Sequence, residues 1–266
     1  MSGSEDGVLD RYFQAISDEG IYPNQENLRL YLDYLFDSVS LRQKSLLEIG
    51  GGSGWLSLYA RCRGAARVVC LEPEAAGSSP LAALQFDHLA DRIGVQGVER
   101  VPARVQNFTA DGARFDLILL HNSINHLDEE ACITLLRDDG ALKRYRAILD
   151  KIGRLSEIGA TLIAVDCSRY NFFGMLGITN PVARTINWEK HQSPWTWARL
   201  VEEVGFGRPG IRWASFNRLG KAGRLLLGNR VASFFLTSQF CLTMVKTLDV
   251  RTISRHGIPS RPAATR

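Results

Sequence analysis

Four closely spaced glycines near residue 50 have the residue type and spacing of a turn that binds a nucleotide-like ligand. Residues 46–49 read as a buried strand and residues 55–63 as a helix, and the turn between them contains Gly50, Gly51, Gly52 and Gly54. A strand, a tight turn and a helix bring backbone against such a ligand in α/β proteins. Glycine suits the turn because it tolerates positive φ and carries no Cβ. The alternative is a glycine-rich turn without a ligand.

The glycine spacing differs from a dinucleotide fingerprint, which places glycines at its first, third and sixth positions. Counted from Gly50, the sixth position is Trp55. The arrangement Glu48-x-Gly50-x-Gly52-x-Gly54 instead resembles the first motif of the class I S-adenosylmethionine-dependent methyltransferases. The resemblance implies that the turn faces the methionine part of the cofactor, S-adenosyl-L-methionine. It also implies that Glu48 helps to position this part, often through the amino group.

A second acidic residue, Glu72, ends the next apolar run, 24 residues after Glu48, and is followed by Pro73. A carboxylate at a strand end can accept two hydrogen bonds from a ribose diol, and charge-assisted bonds are strong. The resemblance gives the residue matching Glu72 this role toward the adenosine ribose and places Pro73 at the same site. The alternative is a polar strand end before a turn.

A third motif, residues 115–127, begins with a buried strand and continues into a polar segment. Open α/β sheets bind ligands beyond the carboxyl ends of their strands, so the polar segment is expected in the crevice. Its candidate residues are Asn122, Ser123, Asn125 and His126. The segment resembles the end of the family's fourth strand, which faces cofactor and substrate, and it implicates Asn122 in cofactor binding. The resemblance covers roughly residues 45–206.

The adenine contact departs from the family pattern. Relatives place an acid after the third strand, close to the adenine amino group, whereas this chain has Gln106 and Asn107 there. Either amide can accept a hydrogen bond from that amine.

Methyl transfer to a hydroxyl requires that a proton be removed, and histidine is the usual base because its pKa lies near neutrality. His126 follows the fourth strand, and His191 lies in a later insertion. Both are candidates for the catalytic base. A reaction without a protein base, which suits amine acceptors and carbanions, is the alternative. No carboxylate cluster stands at the usual metal positions, so we expect no metal.

The motifs predict a Rossmann-like, doubly wound α/β fold. We expect a seven-stranded, mostly parallel sheet with an antiparallel last strand. The predicted parts are an N-terminal helical cap (1–44), a methyltransferase domain (45–250) and a flexible tail (251–266). Within the domain, residues 167–197 are expected to form a substrate lid and residues 217–237 a basic, apolar insert. Trp188, Trp195 and Trp197 either line a pocket or anchor the lid, and core packing is favoured for Trp197.

The predicted elements follow from hydrophobic periodicity. Helices are expected at residues 8–18, 25–38 and 81–93, and a long helical stretch at 128–155 is expected to break at Asp138–Gly140. The last three strands are predicted at residues 159–166, 211–216 and 239–246.

Length and composition agree with one α/β domain. The chain has 266 residues, of which 45% are hydrophobic and 23% charged, which suffices for a sizeable core. It has no apolar run of about 18 or more residues, and its first residues do not resemble a signal peptide. Five scattered cysteines without C-x-x-C spacing indicate neither a zinc site nor a disulfide framework. A reducing cytoplasm is therefore the expected location.

The charge of the chain is uneven. Residues 208–266 contain 11 Lys or Arg and a single acid, although the whole chain carries only +4. A basic segment indicates an anionic partner, and its mixture with Leu and Phe is typical of an interfacial helix. A peripheral membrane location is therefore an open alternative to a solvated basic face. Nucleic acid is not favoured, because no recognised binding motif is present. A homo-oligomer is left open.

Together these features predict a methyltransferase that acts on a small-molecule acceptor. The expected reaction is O-methylation of a hydroxyl on a sugar or secondary metabolite intermediate. One alternative is a lipid or quinone-type acceptor at a membrane surface. The other is a non-catalytic S-adenosylmethionine-binding protein that acts by interaction.

Overall fold

Seven strands in the described part of the chain join in one sheet. They are Ser45–Ile49 (β1), Arg67–Leu71 (β2), Val98–Val101 (β3), Phe115–His121 (β4), Ser156–Cys167 (β5), Phe206–Trp213 (β6) and Gln239–Lys246 (β7). The computed structural model describes residues 2–37, 39–74, 81–214 and 220–248. The strand order is β3-β2-β1-β4-β5-β7-β6, with β7 antiparallel to both of its neighbours. The predicted doubly wound sheet with an antiparallel last strand is confirmed. The predicted tail, 251–266, lies outside the described residues.

Helices cover both faces of this sheet. They are Ser2–Asp18 (α1), Gln25–Leu35 (α2), Trp55–Cys62 (α3), Ala82–Ile93 (α4), Glu129–Thr134 (α5), Asp139–Leu155 (α6), Phe172–Met175 (α7), Pro194–Glu202 (α8), Gly220–Leu227 (α9) and Arg230–Phe235 (α10). Two short 3₁₀ turns occupy Ile124–His126 and Trp188–Lys190. None of the helices in the described ranges combines the length and the apolar character that a bilayer span requires.

The alternation of side chains along β1 divides the core into two layers. Leu47 and Ile49 pack on one face with residues of α5, α6 and α8. Leu46 packs on the other face with residues of α1 to α4. Successive side chains of a strand point to opposite faces, so one short strand contributes to both layers.

Polar residues begin the helices that lead to the site. The Asp128 side chain accepts from the backbone N of Ala131 at 3.0 Å and caps α5. The Asp138 side chain accepts from the backbone N of Ala141 at 2.9 Å and caps α6. A capping carboxylate satisfies a backbone donor that has no partner within its helix. The predicted break is confirmed, but it lies at residues 135–138, because Asp138 caps α6 and Asp139 and Gly140 belong to that helix.

Several predicted boundaries were wrong. β6 begins at Phe206 rather than at residue 211, because it is an edge strand in which Pro209 is tolerated at a register shift between Gly207 and Gly210. β5 begins at Ser156, directly after α6, rather than at residue 159. α1 begins at Ser2 rather than at residue 8, and α2 ends at Leu35, before residue 38. The predicted end of β6, at residue 216, lies outside the described residues.

Candidate functional site

The carboxyl ends of β1 and β4 mark the point at which the strand order reverses, and a cavity of about 740 Å³ opens there. Ligands of open α/β sheets bind at such a point. Seven of the predicted site residues line the cavity: Gly50, Gly52, Glu72, Pro73, Gln106, Asn122 and His126. Five others are not among its lining residues: Glu48, Gly51, Gly54, Asn107 and His191.

The glycine turn requires glycine on two grounds. Gly50 has φ of 73° and Gly52 has φ of 55°, values that favour residues without a Cβ. A Cβ on Gly50 would lie 2.6 Å from the Cβ of Ser123. The turn is also fixed to the neighbouring strand, because the backbone N of Gly50 donates to the Leu71 carbonyl oxygen at 2.8 Å. At this turn the cavity wall is therefore backbone without side chains.

Glu72 joins the end of β2 to this turn. Its Oε2 accepts a hydrogen bond from the backbone N of Gly52 at 2.8 Å. Glu72 is 6% exposed, and it lines the cavity together with Pro73. The carboxylate is therefore held on the cavity wall, at the position expected of a residue that binds the ribose diol.

Glu48 lies behind the turn rather than on the cavity wall. Its Oε2 accepts hydrogen bonds from the Ser57 backbone N at 3.0 Å and from Ser57 Oγ at 2.5 Å. Burial raises the pKa of the Glu48 carboxyl to about 7, and the bonds from Ser57 oppose this rise. Glu48 therefore ties the first turn of α3 to β1. A contact between Glu48 and the cofactor stays a prediction.

The two remaining glycines of the motif serve the turn from behind. A Cβ on Gly51 would lie 2.4 Å from Cys70 Sγ, and one on Gly54 would lie 2.4 Å from the ring of Phe86. Gly54 also has φ of 68° and precedes α3. These glycines allow the helix and strand to pack closely, which is a separate requirement from the ligand approach.

The expected adenine end of the cavity contains one of the two predicted amides. Gln106 lines it, and its Nε2 donates to the Leu127 carbonyl oxygen at 2.9 Å. This bond leaves the amide oxygen as the end of Gln106 that can accept from a ligand amine. Asn107 is exposed.

Asn122 lines the cavity directly beyond β4, in an uncommon backbone conformation. Its φ is 52°, a value that asparagine tolerates better than most residues. Its backbone N donates to the Val165 carbonyl oxygen of β5 at 2.8 Å. This bond secures the residue at the junction of β4 and β5.

His126 lies on the cavity rim within a chain of charged groups. Its Nδ1 is hydrogen-bonded to Glu129 Oε1, and Lys190 Nζ donates to Glu129 Oε2 at 2.8 Å. The bond from Lys190, followed by that from His126, lowers the pKa of the Glu129 carboxyl. The His126 side chain is 52% exposed. A carboxylate on Nδ1 orients the imidazole and leaves Nε2 for a substrate proton.

His191 has a more buried carboxylate partner. Its Nδ1 lies 2.9 Å from Oδ1 of Asp166, at the carboxyl end of β5. The side chains of His191 and Asp166 are 13% and 2% exposed. Within the described ranges, Asp166 Oδ2 and both polar side-chain atoms of Asn125 are buried without a hydrogen-bond partner. Buried polar atoms of this kind are uncommon and frequently belong to functional sites.

His121 is held by neighbouring side chains and is not among the residues that line the cavity. It ends β4, and Tyr31 Oη lies 2.6 Å from its Nε2. Burial lowers the pKa of His121 to about 4, so the imidazole is neutral at pH 7. Its ring meets the Trp55 ring edge to face, with centroids 5.6 Å apart. Tyr12 and Tyr31 are buried in the layer formed by α1 to α4.

The tryptophans of the predicted lid divide between core and surface. Trp197 is fully buried and packs on Tyr145, with ring centroids 5.2 Å apart. Trp195 is 44% exposed, and Trp188 lies in the 3₁₀ turn beside His191. Trp197 therefore anchors α8 to the core.

No metal-binding cluster is present in the described part of the chain: no three His, Cys, Asp or Glu side chains there are grouped to hold an ion. The expectation that the reaction uses no metal stays a prediction.

Solved structures share this architecture. The chain is similar to a provisionally assigned S-adenosylmethionine-dependent methyltransferase from Listeria monocytogenes, with a TM-score of 0.55, 11% identity and coverage of 79% of this chain and 92% of that one. A provisionally assigned sarcosine dimethylglycine methyltransferase from Galdieria sulphuraria has a TM-score of 0.54 and 13% identity, with coverage of 83% of this chain and 85% of that one. An S-adenosylmethionine-dependent methyltransferase from Mesorhizobium loti has a TM-score of 0.52 and 13% identity, with coverage of 77% of this chain and 92% of that one.

No protein-family model matches the chain, and no curated protein matches it. At identities of 11 to 13%, the structural likeness defines the fold. The chain has the fold of the class I S-adenosylmethionine-dependent methyltransferases.

Proposed function

We propose that the protein transfers a methyl group from S-adenosyl-L-methionine to a small-molecule acceptor. The observation that carries the proposal is the Glu72 carboxylate, held against the Gly52 backbone N on the wall of the 740 Å³ cavity. The fold likeness to methyltransferases supports the same reaction. Fold alone does not define an activity, so the site residues carry the argument.

The residues of the cavity fit this cofactor. The glycine turn offers backbone without Cβ atoms, Glu72 offers a carboxylate for a ribose diol, and Gln106 offers an amide for the adenine amine. The cavity volume lies within the range of small-molecule sites, about 300 to 1,000 Å³. When bound, S-adenosylmethionine supplies an electrophilic methyl group on a sulfonium. The residues of the chain then bind the cofactor and the acceptor, orient them toward each other and exclude water.

We propose a hydroxyl as the acceptor group, on a sugar or secondary metabolite intermediate. The support is the pairing of each candidate histidine with a carboxylate: His126 with Glu129, and His191 with Asp166. A carboxylate on one ring nitrogen orients an imidazole so that the other nitrogen can accept a hydroxyl proton. His126 lines the cavity directly, which favours it as the base. His191 is the second candidate.

A lipid or quinone-type acceptor is the second candidate function. It is favoured by large apolar side chains exposed on the two insertions, among them Met175, Leu225 and Leu226. A protein that binds the cofactor without turnover is distinguished from both enzymes by the absence of S-adenosylhomocysteine formation with any acceptor.

Calorimetric titration of S-adenosylmethionine and S-adenosylhomocysteine tests the cofactor site, with Gly52→Arg as the matched variant. Gly52 lines the cavity, so an arginine side chain there would fill it. We expect micromolar binding by the wild type and its loss in Gly52→Arg, with an unchanged circular dichroism spectrum. Absence of binding by the wild type would contradict the proposal.

An acceptor screen that follows S-adenosylhomocysteine release then tests the base. Replacing the base with glutamine should lower kcat by about 10²- to 10⁴-fold. Replacing the other histidine should have a smaller effect. Asp166→Asn should shift the pH profile of kcat only where His191 is the base, because Asp166 acts through that imidazole. Unchanged kcat in both His126→Gln and His191→Gln would exclude a histidine base.

A further inference from the structure

The two insertions expose several large apolar side chains. We define the insertion patch as Met175, Leu176, Leu225, Leu226, Val231 and Phe235. Leu225 is 85% exposed and Leu226 is 70% exposed. Exposed apolar side chains are ordinary when they are scattered, but a concentrated group marks a binding surface. The patch is therefore a candidate docking surface.

The patch belongs to a built surface, because two buried amides fix the insertions to each other. Asn171 Nδ2 donates to the carbonyl oxygens of Phe234 and Leu236 at 3.2 and 3.0 Å, and Asn180 Nδ2 donates to that of Leu236 at 2.5 Å. Asn171 and Asn180 are 0% and 1% exposed. The amides thus hold α7 beside α10.

Aromatic contacts reinforce this arrangement. The Phe172 ring packs on that of Phe235 with centroids 5.1 Å apart. Asn229, which precedes α10, links that helix to the end of α9, because its Nδ2 donates to the Leu226 carbonyl oxygen at 2.9 Å. The patch residues of α7, α9 and α10 therefore lie on connected elements.

The segments that carry the patch are basic. Residues 168–187 and 220–237 contain five Lys or Arg and no Asp or Glu, and the first acid that follows in the first insertion, Glu189, is followed directly by Lys190. Arg184 and Arg230 are exposed, and the Arg230 guanidinium lies over the Trp195 ring, 4.5 Å from its centroid. An apolar surface bordered by cations complements an anionic lipid surface, in which apolar side chains enter the interface and cations meet the headgroups.

The topology places the patch at the same edge of the sheet as the cavity. The first insertion leaves β5 after Cys167, at its carboxyl end. The second connects Trp213, the carboxyl end of β6, to Gln239, where the antiparallel β7 begins. Because β5 and β6 run in the same direction, both insertions project from the carboxyl edge of the sheet, where the cavity opens.

We propose that the insertion patch docks the protein onto the surface of an anionic phospholipid bilayer. The charge favours this occupant over a second copy of the chain. An isologous dimer would bring each patch against itself, so Arg184 and Arg230 would share an interface without an acid from these segments. The proposal concerns binding alone and does not rest on methyl transfer.

Sedimentation with vesicles tests the proposal. The full chain is mixed with vesicles of phosphatidylcholine and phosphatidylglycerol, or of phosphatidylcholine alone. We expect binding to the mixed vesicles that weakens with added salt. The double substitution Leu225→Asp and Leu226→Asp should lower the partition coefficient at least about tenfold, because it removes two apolar side chains and adds two negative charges. Arg230→Gln should weaken binding to mixed vesicles only.

Leu84→Asp is the matched control, because Leu84 is 65% exposed on α4, which belongs to neither insertion. It should leave vesicle binding unchanged. Absence of binding by the wild type, or equal losses in Leu84→Asp and in the double variant, would overturn the proposal. Analytical ultracentrifugation distinguishes the other occupant. Self-association that the double variant abolishes, without vesicle binding by the wild type, would assign the patch to a second copy.

Discussion

Glu72 Oε2 accepts a hydrogen bond from the Gly52 backbone N at 2.8 Å, and this bond connects the ends of β1 and β2 on the cavity wall. The glycine turn and the acid therefore form one unit, although 20 residues separate them. The turn fixes the carboxylate, and the carboxylate in turn satisfies a turn amide. A change at either residue should affect the same ligand.

Glu72→Gln should weaken binding of S-adenosylmethionine and S-adenosylhomocysteine about tenfold to a hundredfold. The amide oxygen can still accept from Gly52, but the charge that strengthens hydrogen bonds to a ribose diol is lost. Calorimetric titration measures the change. Glu74→Gln is the control, because Glu74 is exposed and pairs with Arg100. Unchanged affinity in Glu72→Gln would show that Glu72 does not contact the cofactor.

Gly50→Ala should lower the free energy of unfolding by about 2 to 4 kcal/mol, for two reasons. Alanine is strained at the positive φ of this position, and its Cβ would crowd Ser123. The new Cβ would lie 2.6 Å from that of Ser123, and φ is 73°. Urea unfolding measures the loss. Gly112→Ala is the control, because Gly112 has φ of 85° but open space around it, so only strain of about 1 to 2 kcal/mol is expected. Equal losses would contradict the steric account.

Short apolar runs, the glycine motif and the family resemblance predicted the sheet and part of the cavity wall. The alternation of side chains along β1 could also have predicted the orientation of Glu48. Leu46 and Glu48 are two residues apart on β1 and share a face, and Leu46 packs in the layer that contains α3. The hydrogen bonds from Ser57 follow from that placement.

The carboxylate partner of His191 could not be predicted from one sequence, because Asp166 lies 25 residues away. The same holds for Lys190, which lies 61 residues from Glu129. Both contacts depend on how β5, α5 and the 3₁₀ turn at Trp188–Lys190 pack, which local patterns do not encode. Glu129, in contrast, lies three residues from His126, so local spacing could have indicated that pair. The position of β6 was missed for a different reason. Pro209 reads as a strand breaker, and only its place at the sheet edge makes it compatible with a strand.

His121→Gln should change the pH dependence of stability. Burial lowers the pKa of His121 from 6.5 to about 4. Between these two pH values the imidazole therefore binds a proton in the unfolded chain but not in the folded chain. The stability that the neutral His121 contributes is complete above pH 6.5 and is lost as pH falls toward 4. The loss is on the order of 3 kcal/mol. Urea unfolding across the window measures it, with the exposed His88→Gln as control.

Glu48→Gln should change the same profile in the opposite direction. Burial raises the pKa of Glu48 from 4.5 to about 7, so the folded chain keeps a proton that the unfolded chain has lost. The corresponding stability is complete below pH 4.5 and is lost as pH rises toward 7, again on the order of 3 kcal/mol.

These windows overlap, so the contributions of Glu48 and His121 should nearly cancel in the wild type. Stability in His121→Gln should then fall as pH rises from 4.5 to 7, because the Glu48 contribution remains. Stability in Glu48→Gln should fall as pH falls from 6.5 to 4, because the His121 contribution remains. The double variant should be flat with respect to these two groups. Slopes of the same sign in the two single variants would contradict the opposite pKa shifts.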